Sequence, residues 1–321
     1  YDDVNGLFAN NTVTVKGNES AGINTTQCRY ISIINNVFNN TKDGVTIRSN
    51  SDFILLNFTN NVFACQEECV SINSGFGDRW VNNTFFPNAS SALVLSGGTE
   101  GFILNNRVNT SSYSQAQAMF VLIFTGGNVT GNYLDAQGPS SGYGFDIGGK
   151  NVTFLRNTLN LTTTCYRDLA SNNTFIDTDI LDCTNLFVRE YHNAQRPFNT
   201  TLINSTGTNL TYAGSRFPIT PIVVKHYVTV NTSNTYGDLV AATVGYADND
   251  DGGCNESQTE ASDTRLKFNL TEVVINGSAT PAGDACEGGA CNWTYSTPYT
   301  INARRTGYDT ISTSLNMTYN Y

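Results

Sequence analysis

Three carboxylates in this chain stand one repeat apart: Asp43 in Asn40-Thr41-Lys42-Asp43-Gly44-Val45, and Glu67 with Glu68 in Gln66-Glu67-Glu68-Cys69-Val70-Ser71-Ile72-Asn73-Ser74-Gly75. An inverting glycoside hydrolase needs an acid and a base several ångströms apart with water between them, and carboxylates on neighbouring turns of a stacked structure meet that need. Histidine gives this chemistry no help, because His192 and His226 lie far downstream. Lyase chemistry would need a calcium-binding carboxylate cluster, and for it only Asp146, in Phe145-Asp146-Ile147, occupies a strand centre.

A second acidic group, Asp248-Asn249-Asp250-Asp251-Gly252-Gly253 with Glu256 close by, packs oxygen ligands around a glycine turn. It is a candidate calcium loop of Asp248, Asp250, Asp251 and Glu256. Thr259 stands where the helix-loop-helix type places its bidentate Glu, so a solvated acidic loop is the competing reading.

The cysteines are Cys28, Cys65, Cys69, Cys165, Cys183, Cys254, Cys286 and Cys291, an even number without the close double Cys-x-x-Cys spacing of a zinc site. That pattern predicts disulfides and an oxidising compartment. Cys165 and Cys183 are 18 apart, close to a coil length, so stacked turns can bridge them. Cys65 with Cys69 and Cys286 with Cys291 can close small loops, which leaves Cys28 and Cys254 to pair within the chain or between neighbouring subunits.

Asn-x-Ser/Thr sequons number 21, whereas chance pairing of 42 Asn with 65 Ser or Thr in 321 residues gives about 8 or 9. They fall at Asn10, Asn18, Asn24, Asn39, Asn57, Asn82, Asn88, Asn109, Asn128, Asn151, Asn160 and Asn172, and continue at Asn199, Asn204, Asn209, Asn231, Asn255, Asn269, Asn276, Asn292 and Asn316. Asn and Thr two apart share one face of a strand, so solvated β-structure also favours them. Their persistence beyond the repeats predicts N-linked glycans.

The elements that must position these groups are set by one recurring phrase: Asn35-Asn36-Val37-Phe38, Asn60-Asn61-Val62-Phe63, Asn82-Asn83-Thr84-Phe85 and Asn105-Asn106-Arg107-Val108. From second Asn to second Asn the steps are 25, 22 and 23 residues, the period of a solenoid coil. Looser copies at Asn10-Asn11, Gly131-Asn132, Arg156-Asn157 and Asn172-Asn173 extend the count to about eight coils. Short alternating runs such as Ile31-Ser32-Ile33-Ile34 and Val45-Thr46-Ile47, bounded by Asn, Gly and Ser, read as strands joined by tight turns. The architecture is a right-handed parallel β-helix over residues 1–184. Asn tolerates the left-handed backbone such turns need, and stacked Asn side chains can hydrogen-bond from coil to coil. The apolar run from Ala116 to Phe124 reads as a long buried strand.

From about Asn185 the strand candidates lengthen: Leu186 to Tyr191, Pro221 to Val230, Asp238 to Tyr246, Thr264 to Ile275, Tyr299 to Arg304 and Thr310 to Tyr319. Alternating strands between Gly- and Asn-rich turns predict a β-sandwich over residues 185–321. The fold class is therefore all-β. With 39% hydrophobic residues the chain can bury a sizeable core. Only 14% of residues are charged, the net charge is -10, and the pI is near 4.6. An acidic surface without a Lys/Arg cluster argues against nucleic acid and anionic membranes as partners. There is no run of eighteen apolar residues to span a membrane. The first residue is Tyr1, in what already reads as strand and turn, and is expected of a mature form without its export signal or of a trimmed chain.

Residues 1–184 resemble the parallel β-helix repeat superfamily, which includes pectin-degrading enzymes, carbohydrate-binding scaffolds and surface proteins. Within it, the Asp43 and Glu67-Glu68-Cys69 segments resemble the Asn-Thr-Asp-Gly and Asp-Asp-Cys blocks of polygalacturonase-type glycosidases, with Glu67 and Glu68 in place of the Asp pair. The His-Gly block expected one coil later is absent at Ala92-Leu93-Val94-Leu95-Ser96-Gly97, and so is the Arg-x-Lys block. Tyr299 to Asp309 followed by Ser312 to Thr318 resembles the last hairpin of immunoglobulin-like domains of the carboxypeptidase-regulatory kind. The combination is similar to secreted surface-layer and sheath proteins of methanogenic archaea, a resemblance that implies self-assembly, often with calcium. The expected function is a secreted, glycosylated structural protein whose partners are copies of itself, with no catalytic residues and no required cofactor. The alternatives are a hydrolase or lyase acting on acidic glycans and a carbohydrate-binding adhesin. Trp80 and Trp293, the only tryptophans, lie in different halves.

Overall fold

The computed structural model describes residues 5–15, 21–25, 30–48, 55–73, 77–88, 91–110, 118–136, 143–161, 164–168, 172–183, 185–189, 200–205, 210–211, 222–233, 236, 242–247, 256–259, 266–277, 291–296, 298–305, 307 and 309–316. Among the described residues there is no helix, and the first part of the chain is a β-solenoid of about six turns. One of its sheets has eight parallel strands, from Thr12–Thr14 through Val37–Thr41 and Val62–Cys65 to Asp179–Asp182. The other, of 19 strands, covers two sides of each turn because its longest members bend around a corner.

Glycine makes that bend. In Leu93–Leu104 the corner falls at Gly97 and Gly98, with φ of 90° and 110°, and in Ala118–Thr130 it falls at Gly126 and Gly127, with φ of 75° and 115°. L side chains rarely adopt these values, and a Cβ on Gly127 would collide with the Gly101 carbonyl. The run expected as a buried strand alternates: Phe120, Leu122 and Phe124 are buried, while Ile123 faces solvent.

Each rung sends alternate side chains inward, so identical positions of successive rungs stack. Phe38 lies on Phe63 with ring centroids 4.8 Å apart, Phe63 on Phe85 at 5.2 Å, and Phe154 on Phe175 at 4.6 Å. Apolar burial of this kind contributes about 25 cal/mol per Å², with aromatic stacking adding ~1 kcal/mol per pair. Two disulfides join the framework, Cys65 to Cys69 and Cys165 to Cys183, both of them spacings expected from sequence.

Parallel pairing runs on past residue 184. Asn185–Arg189 lies beside Thr164–Asp168, and Thr200–Ile203 beside Thr174–Ile176. The transition comes at Ile222–Val230, which pairs parallel with Thr200–Ile203 on one edge and antiparallel with Leu266–Gly277 on the other. Beyond it an antiparallel sheet is ordered Glu256–Thr259, Thr243–Ala247, Tyr299–Arg304, Ile311–Leu315. A small separate core of Val244, Leu266, Phe268, Leu270, Tyr299 and Ile301 joins residues of both antiparallel segments.

Candidate functional site

The strongest chemical construction in the molecule is a column of asparagines along one corner. The first residue of each phrase turns the chain with left-handed φ: 59° at Asn10, 56° at Asn35 and Asn60, 55° at Asn82 and 54° at Asn105. On the first rung the second residue, Asn11, is exposed, and from Asn36 to Asn157 the second residue is buried. Its Oδ1 accepts from the backbone N–H of the equivalent Asn on the preceding rung, at 2.9 Å from Asn36 to Asn61, Asn61 to Asn83, Asn83 to Asn106 and Asn106 to Asn132, and at 3.0 Å from Asn132 to Asn157. Its Nδ2 donates to the next Oδ1 and to a strand carbonyl, as from Asn61 to Asn83 at 3.0 Å and to Ile33 at 2.7 Å. Every amide atom is used, which is what makes a buried polar column tolerable.

One sequence copy is misplaced. Asn172-Asn173 precedes Thr174–Ile176 in the 19-stranded sheet, so it occupies a different corner from the other phrases. The matching corner is Asp177-Thr178, with φ 48° at Asp177 and Thr178 buried, and then Asn204-Ser205, with φ 45° at Asn204. The Asn column therefore ends at Asn157, because Thr and Ser take over its corner. Asn173 instead receives the Val152 N–H at 3.0 Å and donates to the buried Asp168 at 2.9 Å.

The three residues with candidate catalytic carboxylates lie on another corner of two adjacent rungs. Glu67 donates its N–H to the Lys42 carbonyl at 2.9 Å, and the Gly44 N–H reaches the Glu68 carbonyl at 3.3 Å. The loop is tight: a Cβ on Gly44 would meet the Cys69 carbonyl, and the Cys65–Cys69 bond closes the segment that carries both glutamates. Glu67 is exposed and pairs with Lys42 at 3.5 Å, while Asp43 and Glu68 are half-buried. Among the described residues the buried carboxylates are others. Asp146 pairs with Arg167 of the next rung at 3.4 Å.

Sequence reasoning missed those buried acids. Asp78, at a turn next to Gly77, accepts the Leu56 N–H at 3.1 Å, and its burial pushes the carboxyl pKa up to about 7. Asp168 accepts from Thr200 Oγ1 at 2.8 Å. Glu272 is the extra residue where the pairing of Ile222–Val230 with Leu266–Gly277 shifts register, and it meets His226 Nε2 at 2.7 Å with its own side chain fully buried. No period marks these positions, so only the one-residue slip of the register could have signalled Glu272.

The acidic loop residues Asp248, Asp250 and Asp251 lie outside the described residues, and Glu256 is described only as backbone of Glu256–Thr259. Cys28, Cys254 and Cys286 also lie outside them, and Cys291 is described only as backbone. Among the described residues no group of three His, Cys, Asp or Glu is placed to hold a metal ion, and no helix is long and apolar enough to cross a membrane. Of the sequons, Asn18, Asn199, Asn209 and Asn255 lie outside the described residues, and the side chains of Asn276 and Asn292 are undescribed. The remaining sequon side chains are exposed or half-buried and none is in the core; Asn57, Asn109, Asn160 and Asn269 are the half-buried ones.

Fold and chemistry together define a class, an all-β parallel solenoid with internal disulfides and a buried Asn column. No family model, curated protein or solved structure matches the chain.

Proposed function

We propose that this chain is a secreted, glycosylated structural protein that self-assembles into a cell-envelope layer, sheath or extracellular filament, as in the surface proteins of methanogenic archaea that its sequence resembles. In this reading the solenoid is right-handed with about eight coils, one for each strand of the eight-stranded sheet. The antiparallel segments after it form an immunoglobulin-like sandwich around Phe268 and Tyr299. Copies of the chain are the partners, glycans the modification, and calcium at the Asp248 to Glu256 loop an accessory.

The observation that carries the reading is the division of labour within the Asn phrases. At Asn82-Asn83-Thr84 and Asn172-Asn173-Thr174 the sequon Asn is exposed while its neighbour is turned inward to hydrogen-bond within the stack. Such a rung offers glycan sites without disturbing its own frame. Assembly has a physical route as well: Ile311–Leu315 has no charged residue and, among the described residues, pairs on one edge only, which suits strand addition. Electron microscopy of the native material, with glycopeptide mapping, tests the proposal. Ordered polymers bearing N-linked sugar are expected, and unglycosylated single particles would refute it.

A second reading, a glycoside hydrolase or lyase, is favoured by the stacking of Asp43 and Glu68 on adjacent rungs. Turnover of polygalacturonate that is lost in Asp43→Asn would establish it.

A further inference from the structure

A groove of about 800 Å³ runs across the first four rungs on the outer face of the 19-stranded sheet, lined by Leu7, Tyr30, Ser32, Leu55, Asn57 and Arg79 among others. The register fixes its layout. Leu7, Ser32, Asn57 and Arg79 form one column, each beside the next, and Tyr30 sits beside Leu55 in the column next to it. Steps along a column are about 4.8 Å. Leu7, Tyr30 and Leu55 are 71%, 41% and 44% exposed, three of the large apolar side chains that this fold leaves in water. A contiguous apolar exposure rimmed by polar groups marks a surface that something covers.

Asn57 stands in the middle of this floor and is itself a sequon residue, Asn57-Phe58-Thr59. Thr59 Oγ1 donates to its Oδ1 at 2.8 Å, while its Nδ2, the atom that carries an N-linked sugar, makes no hydrogen bond among the described residues. We infer that a glycan on Asn57 is the occupant of the groove, folded back along the sheet with its sugar faces on Tyr30, Leu55 and Leu7. The inference rests on the glycosylated reading above and adds a binding role to one of its sites. Attachment joins Nδ2 to the anomeric carbon of a lipid-diphosphate-linked oligosaccharide; the bond from that carbon to the diphosphate oxygen breaks, and the lost amide proton balances the leaving group. A sugar ring has an apolar C–H face for the aromatic and leucine wall and hydroxyls for Ser32 and Thr59, the mixture that ligand sites present. Arg79, exposed and without an ion-pair partner among the described residues, suits an acidic sugar, whose carboxylate or sulfate it can grip in bidentate fashion.

Asn39 is the matching control, because it is an exposed sequon on a strand of the other sheet. Glycopeptide mapping of the native protein should find sugar on Asn57. Asn57→Gln, and independently Thr59→Val, which removes the sequon and keeps Asn57, should each lower the thermal midpoint by several degrees and raise binding of an apolar dye, whereas Asn39→Gln should do neither. Sugar at other sequons with Asn57 bare would overturn this inference alone, as would equal behaviour of the Asn57 and Asn39 variants. Absence of sugar from every sequon would overturn the inference and the glycosylated reading together.

Discussion

The solenoid restates one rung, whereas the antiparallel sheets that follow it restate nothing, and the two regions are stabilised on different scales. Among the described residues the solenoid core gathers 36 buried apolar residues in one continuous column and the antiparallel core six. A rung is held by neighbours above and below, so its contribution is a sum of nearest-neighbour interfaces. The smaller core depends on a few strands and on the joint at Ile222–Val230, where a fully buried glutamate meets a histidine. Stability in the first region is therefore spread over many rungs, and in the second it draws on few side chains.

Four changes would break or sharpen that contrast. The largest effect is expected from Phe85→Ala, which empties a fully buried site between Phe63 and Phe120 and should cost about 3–5 kcal/mol in denaturant unfolding. His226→Ala removes the His226 contact from the fully buried Glu272 and should cost about 3 kcal/mol. Hydrogen exchange should place that loss in Leu266–Gly277 and Tyr299–Arg304, with the solenoid amides still protected. Asn83→Ala orphans the Asn61 N–H inside the stack and should cost about 2 kcal/mol, against about 1 kcal/mol for Asn82→Ala, which loses only the tolerance of Asn for the left-handed turn at the exposed corner. Glu67→Gln removes a solvated pair with Lys42 and should change stability by less than about 1 kcal/mol.

Asp78 adds a pH dependence to the solenoid. Its folded pKa is raised from 3.8 to about 7, so the folded state binds the proton more tightly than the unfolded chain. The stability this contributes is complete below pH 3.8 and is lost as pH rises to about 7. Thermal midpoints measured across that window should fall less steeply with pH in Asp78→Asn than in the parent.

How much of this was legible in the sequence follows the same divide. The Asn phrases announced both the stack and its corner, because a left-handed turn followed by an inward amide favours Asn at both positions, with Gly131 and Arg156 taking the turn on two later rungs. The two observed disulfides were legible from spacing alone. Asn172-Asn173 misled because identical residues suit a second corner, where Asn151 and Asn172 also take positive φ. Asp78, Asp168 and Glu272 were hidden because a buried carboxylate is defined by donors from distant rungs, as the Leu56 N–H is for Asp78. The Asn57 groove was hidden for the opposite reason: its column forms only when rungs 22 and 25 residues apart are laid in register.

The register itself can be tested by oxidative cross-linking at the exposed corner. Asn35 and Asn60 follow each other on adjacent rungs, where the Asn35 N–H reaches the Thr59 carbonyl at 3.0 Å, and a rung step of about 4.8 Å suits a disulfide. The double variant Asn35→Cys/Asn60→Cys should close an intramolecular bond, mapped by mass spectrometry, while Asn35→Cys/Asn105→Cys, three rungs apart, should stay open. Closure of the distant pair, or failure of the adjacent one, would contradict the stack.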